Sequence, residues 1–285
     1  MAETSGATGS AGRRVALITG AARGMGRAQA VEFADAGYDV VALDYRPPSS
    51  VASGAYAPLS EDFAVLTQVV GKAGGRVRAV EADVRSQAAV DAAVAEGLQE
   101  FGRIDAVVAT AGVGNPFKPS WELTEDEFRA PVEVNLLGAW HVAKATIPTL
   151  IAQGGGGSVT FVGSGASLKG LLNLAGYVAS KHAQMGLMRS LAREAGPHGI
   201  RVNMVLPGNT NTELFMRGTT RYRLVPEKAE PTDEEFLARA ASLSPMRIPY
   251  VEVEDVARAT VWLASDAARF VTGAAIPVDG GTTIP

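Results

Sequence analysis

The chain has 285 residues, 47% of them hydrophobic and 20% charged, with a formal net charge of −4 and no cysteine. That length buries a substantial core, and that balance belongs to a folded globular protein. Disulfides, thiolate metal sites and thiol nucleophiles are excluded, and the lack of a basic patch argues against nucleic acid or an anionic membrane as a partner.

Residues 1–12, MAETSGATGSAG, are small and polar and predict a disordered tail, with no apolar stretch of a secretory signal. No apolar run reaches the roughly 20 residues that span a bilayer, so a cytoplasmic protein is expected. From residue 13 onward, seven β-rich apolar runs alternate with helix-period segments: 15–19, 40–44, 77–82, 104–109, 158–163, 200–206 and 274–279. Strands apolar on both faces and separated by helices predict an α/β fold, a single doubly wound domain over 13–285 whose seven-stranded parallel sheet is covered on both sides.

The first strand runs directly into TGAARGMG, with Gly20, Gly24 and Gly26 leading into a helical pattern. Glycines there allow a tight turn and close approach to a pyrophosphate at a helix N-terminus. The third position of a GxGxxG pattern is Gln29 instead of glycine. The second strand ends in Asp44, whose carboxylate can accept both ribose hydroxyls of an adenosine and repels a 2′-phosphate, which selects NAD over NADP. Arg23 and Arg46 argue the other way, since guanidinium pairs well with phosphate; an unpaired carboxylate facing a phosphate is the costlier arrangement, so NAD is expected.

A Pro- and Ser-rich insertion follows at 46–60, and a second long excursion occupies 211–250, with a helix start at PTDEEFLARAASL. Long excursions in compact α/β domains are usually lids or binding loops. The run GGGG at 154–157 reads as a helix stop and turn. His141, His182 and His198 lack metal-ligand spacing and read as structural or surface residues, and no metal is expected.

In AGYVASKH, Tyr177 and Lys181 stand four residues apart, on one helical face. A tyrosine acting as a base near neutrality must lose about three units from its ordinary pKa near 10, or about 4 kcal/mol. An ammonium and an oxidised nicotinamide together can supply that. Ser164, ending the fifth strand, can donate to a substrate oxygen or simply cap a turn.

These motifs together resemble the short-chain dehydrogenase/reductase family, from Arg14 to Gly281. TGAARGMG is similar to its TGxxxGxG loop, Asp83 and Val84 to its adenine-side pair, and PGNTNT at 207–212 to its nicotinamide-side loop. Ala111 and Gly112 match the end of its NNAG motif, from which the chain departs at Thr110. Asn135, Ser164, Tyr177 and Lys181 fall on the family's catalytic tetrad, in which the asparagine holds a water that passes protons towards the lysine. The resemblance implies cofactor contacts at Gly20, Arg23, Gly24, Met25 and Gly26, then at Asp44, Tyr45, Asp83 and Val84. Further contacts are implied at Ala111, Gly112, Tyr177 and Lys181, and at Pro207, Gly208, Thr210 and Thr212.

The two excursions and residues 244–281 resemble the mycofactocin-associated, carveol-dehydrogenase-like branch of the family. That likeness implies NAD held tightly under the 46–60 insertion and re-oxidised by a redox partner, a hydrophobic secondary alcohol or its ketone as substrate, and a homotetramer. Leu214, Phe215, Met216, Leu168, Leu171 and Leu172 are expected either to wall the substrate or to pack the lid. Two alternatives stand beside this reading: an ordinary dehydrogenase that exchanges NAD, and a non-catalytic dinucleotide sensor.

Overall fold

The computed structural model describes residues 12–46, 59–217 and 220–284, leaving out the side chains of Leu59, Leu214 and Arg217. Residues 1–11 of the expected tail and 47–58 of the expected insertion thus lie outside the described residues. Seven strands, β1 (Arg14–Thr19), β2 (Tyr38–Asp44), β3 (Val77–Glu81), β4 (Ala106–Ala109), β5 (Gly157–Val162), β6 (Ile200–Pro207) and β7 (Ala275–Val278), form one sheet. Their order is 3-2-1-4-5-6-7 and every pairing is parallel.

Successive residues of a strand point to opposite faces, so central strands that are apolar throughout feed two cores. Leu17, Val41, Val107 and Phe161 face helices α3 (Gln87–Phe101), α5 (Ala139–Gln153) and α6 (Ala175–Ala195), where Val94, Leu150 and Met188 meet them. Their neighbours Ile18, Val40, Val108 and Val162 face α1 (Gly24–Asp35), α2 (Leu59–Lys72) and α10 (Val253–Ala264), through Phe33, Leu66 and Val256. Each such fully buried aliphatic or aromatic side chain stabilises by about 1.5–3 kcal/mol.

The strands fall where the apolar runs place them, with shifted ends. β2 begins at Tyr38, two residues before the expected start, because Asp39 is tolerated inside: its carboxylate takes Arg76 at 2.7 Å and Arg13 at 3.2 Å. β4 begins at Ala106, two residues late, because the Asp105 side chain accepts from the Val15 amide at 2.8 Å. Gly154, Gly155 and Gly156 all adopt positive φ between α5 and β5, as a helix stop requires.

The second excursion carries three helices, α7 (Glu213–Arg217), α8 (Thr220–Leu224) and α9 (Asp233–Ser242). Thr232 caps α9 in a reciprocal pair with Glu235, at the expected start. Phe215, Leu224, Val225, Phe236 and Ala240 close a small apolar cluster of their own.

Candidate active site

The chain leaves β1 towards β2 on one side and, later, returns to β4 on the other, opening a crevice at the carboxyl ends of the strands where ligands bind in such sheets. Gly20, Asp44, Asp83, Ala111, Ser164 and Pro207 all stand at or just beyond those ends. Gly20 has φ +64°, and a Cβ on it would meet the Ala111 backbone at 3.0 Å; a Cβ on Gly26 would stand 2.0 Å from the Gly20 carbonyl oxygen. The loop therefore closes on itself with no room for a side chain at Gly20 or Gly26. Arg23, extended at the N-cap of α1, places no side-chain hydrogen bond on the first-turn amides, and no acidic residue stands in that turn. Such an end suits a pyrophosphate.

Asp44 accepts from the Ala22 and Tyr45 amides, each at 2.8 Å. Burial pushes its pKa up, and those amides and Arg23 only partly offset the shift. Arg23 and Arg46, the two residues that argue for a phosphate, are both engaged by Asp62, at 3.4 and 3.1 Å. Asp83 is gripped by Arg85 at 2.6 Å, and although burial opposes it, that grip holds the carboxyl below its usual range. Arg85 also lies over the Tyr45 ring, 5.9 Å from its centre. Val84 is buried, with its carbonyl against His141 Nδ1 at 2.8 Å.

Two departures meet each other, Thr110 from the family's NNAG motif and Gln29 from the general GxGxxG pattern. The Thr110 hydroxyl donates to Gln29 Oε1 at 2.5 Å, and Gln29 Nε2 donates onward to the Thr260 hydroxyl at 3.2 Å. Thr19 Oγ1 accepts from the Thr110 and Ala111 amides, each at 3.1 Å. The turn after β4 is thus hydrogen-bonded without the missing asparagine, and Gln29 satisfies a buried hydroxyl that a glycine could not reach.

On the other side of the crevice, α4 (Glu125–Pro131) passes through a π-helical stretch, Val132–Gly138, into α5. Wide turns of this kind free backbone carbonyls and recur at functional sites. Asn135 sits in it, fully buried, its Oδ1 accepting from the Val113 amide at 2.8 Å and its Nδ2 donating to the Ser180 hydroxyl at 2.9 Å. Its main-chain oxygen accepts from Gln184 Nε2 at 3.0 Å, and Gln184 Oε1 faces Lys181 Nζ at 3.4 Å. Lys181 donates to the Val162 carbonyl at 2.7 Å, and its ammonium stands 5.8 Å from the centre of the Tyr177 ring.

Ser164 both caps the Gly165–Ser167 turn, accepting from the Ala166 amide at 3.1 Å, and faces the Tyr177 hydroxyl. The cap fixes the rotamer that the phenol needs. Burial pushes the Tyr177 pKa above the usual 10, while Ser164 and the Arg223 guanidinium pull it back. Burial pushes Lys181 down to about 7. Desolvation acts on both groups, each towards its neutral form.

Among the expected apolar walls, Phe215 belongs to the interior of the second excursion, its ring 4.9 Å from Phe236 and 6.1 Å from Tyr250. Met216 packs against the same cluster, whereas Leu168 and Leu172 are exposed beyond Ser164. The Thr212 methyl lies 3.7 Å from where a Cβ on Gly24 would stand, so the loop after β6 closes over the glycine turn. Arg223, Gln184, Arg85 and Asp62 escape sequence reading, because each is an ordinary helix or loop residue until the fold brings it to the crevice. Asn115 escapes it too, although its Oδ1 accepts from the Tyr177 amide at 2.9 Å.

A family model described as Enoyl-(Acyl carrier protein) reductase matches residues 20–283. The chain is 38% identical over 273 residues to (-)-trans-carveol dehydrogenase of Rhodococcus erythropolis, covering 95% of this chain and 98% of the relative. Its fold superposes on the crystal structure of carveol dehydrogenase from Mycobacterium avium in complex with NAD, at 36% identity and TM-score 0.91, covering 98% and 100% of the two chains. A short-chain dehydrogenase from Mycobacterium paratuberculosis bound to NAD follows at 37% identity and TM-score 0.84, covering 96% and 99%. With a parallel seven-stranded sheet, a glycine turn and a Ser, Tyr and Lys group in one crevice, the chain belongs to the short-chain dehydrogenase/reductase family, as an NAD-dependent alcohol dehydrogenase.

Proposed function

We propose that the protein interconverts a hydrophobic secondary alcohol and its ketone, with Tyr177 as general acid and base. The observation that carries this reading is the Tyr177 hydroxyl facing Ser164 while Lys181 Nζ stands 5.8 Å from its ring. NAD, when bound, supplies the hydride acceptor and a pyridinium charge. Gly20, Arg23, Gly24, Met25 and Gly26 would hold its pyrophosphate, Asp44 and Tyr45 its adenosine ribose, and Asp83 and Val84 its adenine. Ala111, Gly112, Pro207, Gly208, Thr210 and Thr212, with Tyr177 and Lys181, would line the nicotinamide half.

In the oxidation direction Ser164 holds the alcohol oxygen and the Tyr177 phenolate takes its proton. In reduction the phenol returns a proton to the ketone oxygen. Gln184, between the Asn135 carbonyl and Lys181, positions the lysine. Exposed Leu168 and Leu172 favour an apolar substrate, as does the likeness to carveol dehydrogenases.

Replacing Tyr177 with Phe is expected to lower kcat by about 10³-fold or more while NAD affinity stays within a few-fold. Unchanged turnover on a panel of alicyclic alcohols would sink the reading. Turnover by the unmodified protein itself excludes the dinucleotide-sensor alternative.

NAD retention as a prosthetic group, with a redox partner re-oxidising it, rests on the branch likeness. Denaturing the purified protein and assaying the supernatant for NAD(H) tests it; an empty preparation that turns over added NAD overturns it. A homotetramer is supported by exposed apolar side chains in two separate places, Leu137, Trp140 and Ile151 around α5, and Trp262 on α10 with Phe270 in the turn that follows it. Mass spectrometry under non-denaturing conditions counts the subunits. NAD dependence suits the cytoplasm, and among the described residues no helix is long and apolar enough to cross a membrane.

A further inference from the structure

Beside the ribose acceptor Asp44 stands a charge cluster of which the proposed chemistry uses only Arg23. Asp62, on α2 and almost wholly buried, meets three guanidinium groups: Arg27 Nη2 at 3.0 Å on Oδ1, and Arg46 Nη2 at 3.1 Å and Arg23 Nε at 3.4 Å on Oδ2. Arg27 is further fixed through its Nε to the Ala22 carbonyl at 2.7 Å, and the Ala22 amide donates to Asp44 at 2.8 Å. One residue of the glycine turn therefore ties the arginine cluster to the ribose acceptor.

Three guanidiniums against Asp62 and Asp44 leave a local excess of one positive charge. Taken alone that excess invites a phosphate on the adenosine ribose. We propose that Asp62 determines dinucleotide specificity: by saturating its carboxylate with Arg23, Arg27 and Arg46, it withholds all three from a 2′-phosphate, so that Asp44 alone faces the ribose. A carboxylate offers about four lone-pair sites, and two of the arginines converge on a single oxygen, which holds their guanidinium groups against α2. Releasing them to a dianion would break paired, partly buried ions, an exchange that favours leaving the cluster intact.

The test measures binding by calorimetry on protein freed of any retained dinucleotide, with NAD, NADP and adenosine 2′,5′-bisphosphate as probes. Asp62→Asn is expected to tighten NADP and the bisphosphate by about tenfold while NAD moves less than about threefold. Asp62→Glu should retain the unmodified preference. Equal changes for NAD and NADP in Asp62→Asn, or none for NADP, overturn the proposal.

Because Asp62→Asn leaves three cations without their acid, a second arm does not depend on its folding. Arg46→Gln in the otherwise unmodified chain should leave NADP affinity within about twofold, since that arginine is withheld already; a fall of about tenfold would mean that it already serves the phosphate and would overturn the proposal. The inference rests on Asp44 as ribose acceptor, so Asp44→Ser is measured alongside. If Asp44→Ser leaves NAD affinity unchanged, it is the ribose reading that fails, whatever the Asp62 variants show.

Discussion

The two ends of the crevice hold charge in opposite ways. At the adenosine end the guanidiniums have carboxylate partners: Asp62 gathers three arginines, and Asp83 pairs with Arg85. At the catalytic end cations stand without a carboxylate among the described residues. Lys181 has only a carbonyl and an amide oxygen, and the phenol of Tyr177 is the group that favours the charged form of Arg223. Matched ions make a rigid surface whose task is recognition. Unmatched cations in a desolvated pocket remain free to stabilise charge that appears only during reaction.

The largest effect that separates these ends is expected from Lys181→Met, with kcat lower by about 10²–10³-fold in steady-state kinetics. A loss no greater than that of Arg85→Gln would erase the contrast. The same variant carries a stability signature. Lys181 has a folded pKa of about 7 against the usual 10.5, so between those values the unfolded chain binds the extra proton. Stability therefore rises with pH from about 7 to about 10.5 on account of this group. Denaturant titrations of the parent and of Lys181→Met across that window should differ by this slope, and parallel curves would contradict the burial of the amine.

Gln184→Leu comes next. It leaves the Asn135 carbonyl and one side of Lys181 without a partner in a buried place, at a cost of about 1–3 kcal/mol in unfolding free energy. A change below that range would mean that water replaces the amide. Arg223→Gln should raise the tyrosine pKa, moving the pH–kcat profile to more alkaline pH and lowering turnover several-fold at neutrality, by about 1 kcal/mol in the barrier. An unmoved profile would detach the lid from the chemistry.

The smallest effect lies between Gln29 and Thr110. A double-mutant cycle with Gln29→Ala and Thr110→Val should yield a coupling of about 0.5–1.5 kcal/mol, and additivity would show that the hydrogen bond between them contributes nothing to stability.

The strand rhythm, the glycine turn, Asp44, Ser164 and the Tyr177–Lys181 spacing were legible in the chain because each depends on neighbours within a few residues. Periodicity places a strand, a positive φ demands glycine, and four residues make one helical turn. Asp39 shows the limit of that rule: a charged residue inside β2 hides the strand's true start, since its arginine partner at 76 lies 37 residues away.

Only the tertiary structure decided what the chemistry rests on. It brought Gln184 to Asn135, Arg223 within electrostatic reach of Tyr177, Asp62 among three arginines, and Gln29 to Thr110 across 81 residues. It also assigned Phe215 to the apolar interior of the second excursion and showed that burial drives Tyr177 and Lys181 towards neutrality. The physical reason is common to all of these: desolvation and long-range pairing depend on which surfaces the fold removes from water, and the order of residues along a chain does not carry that information.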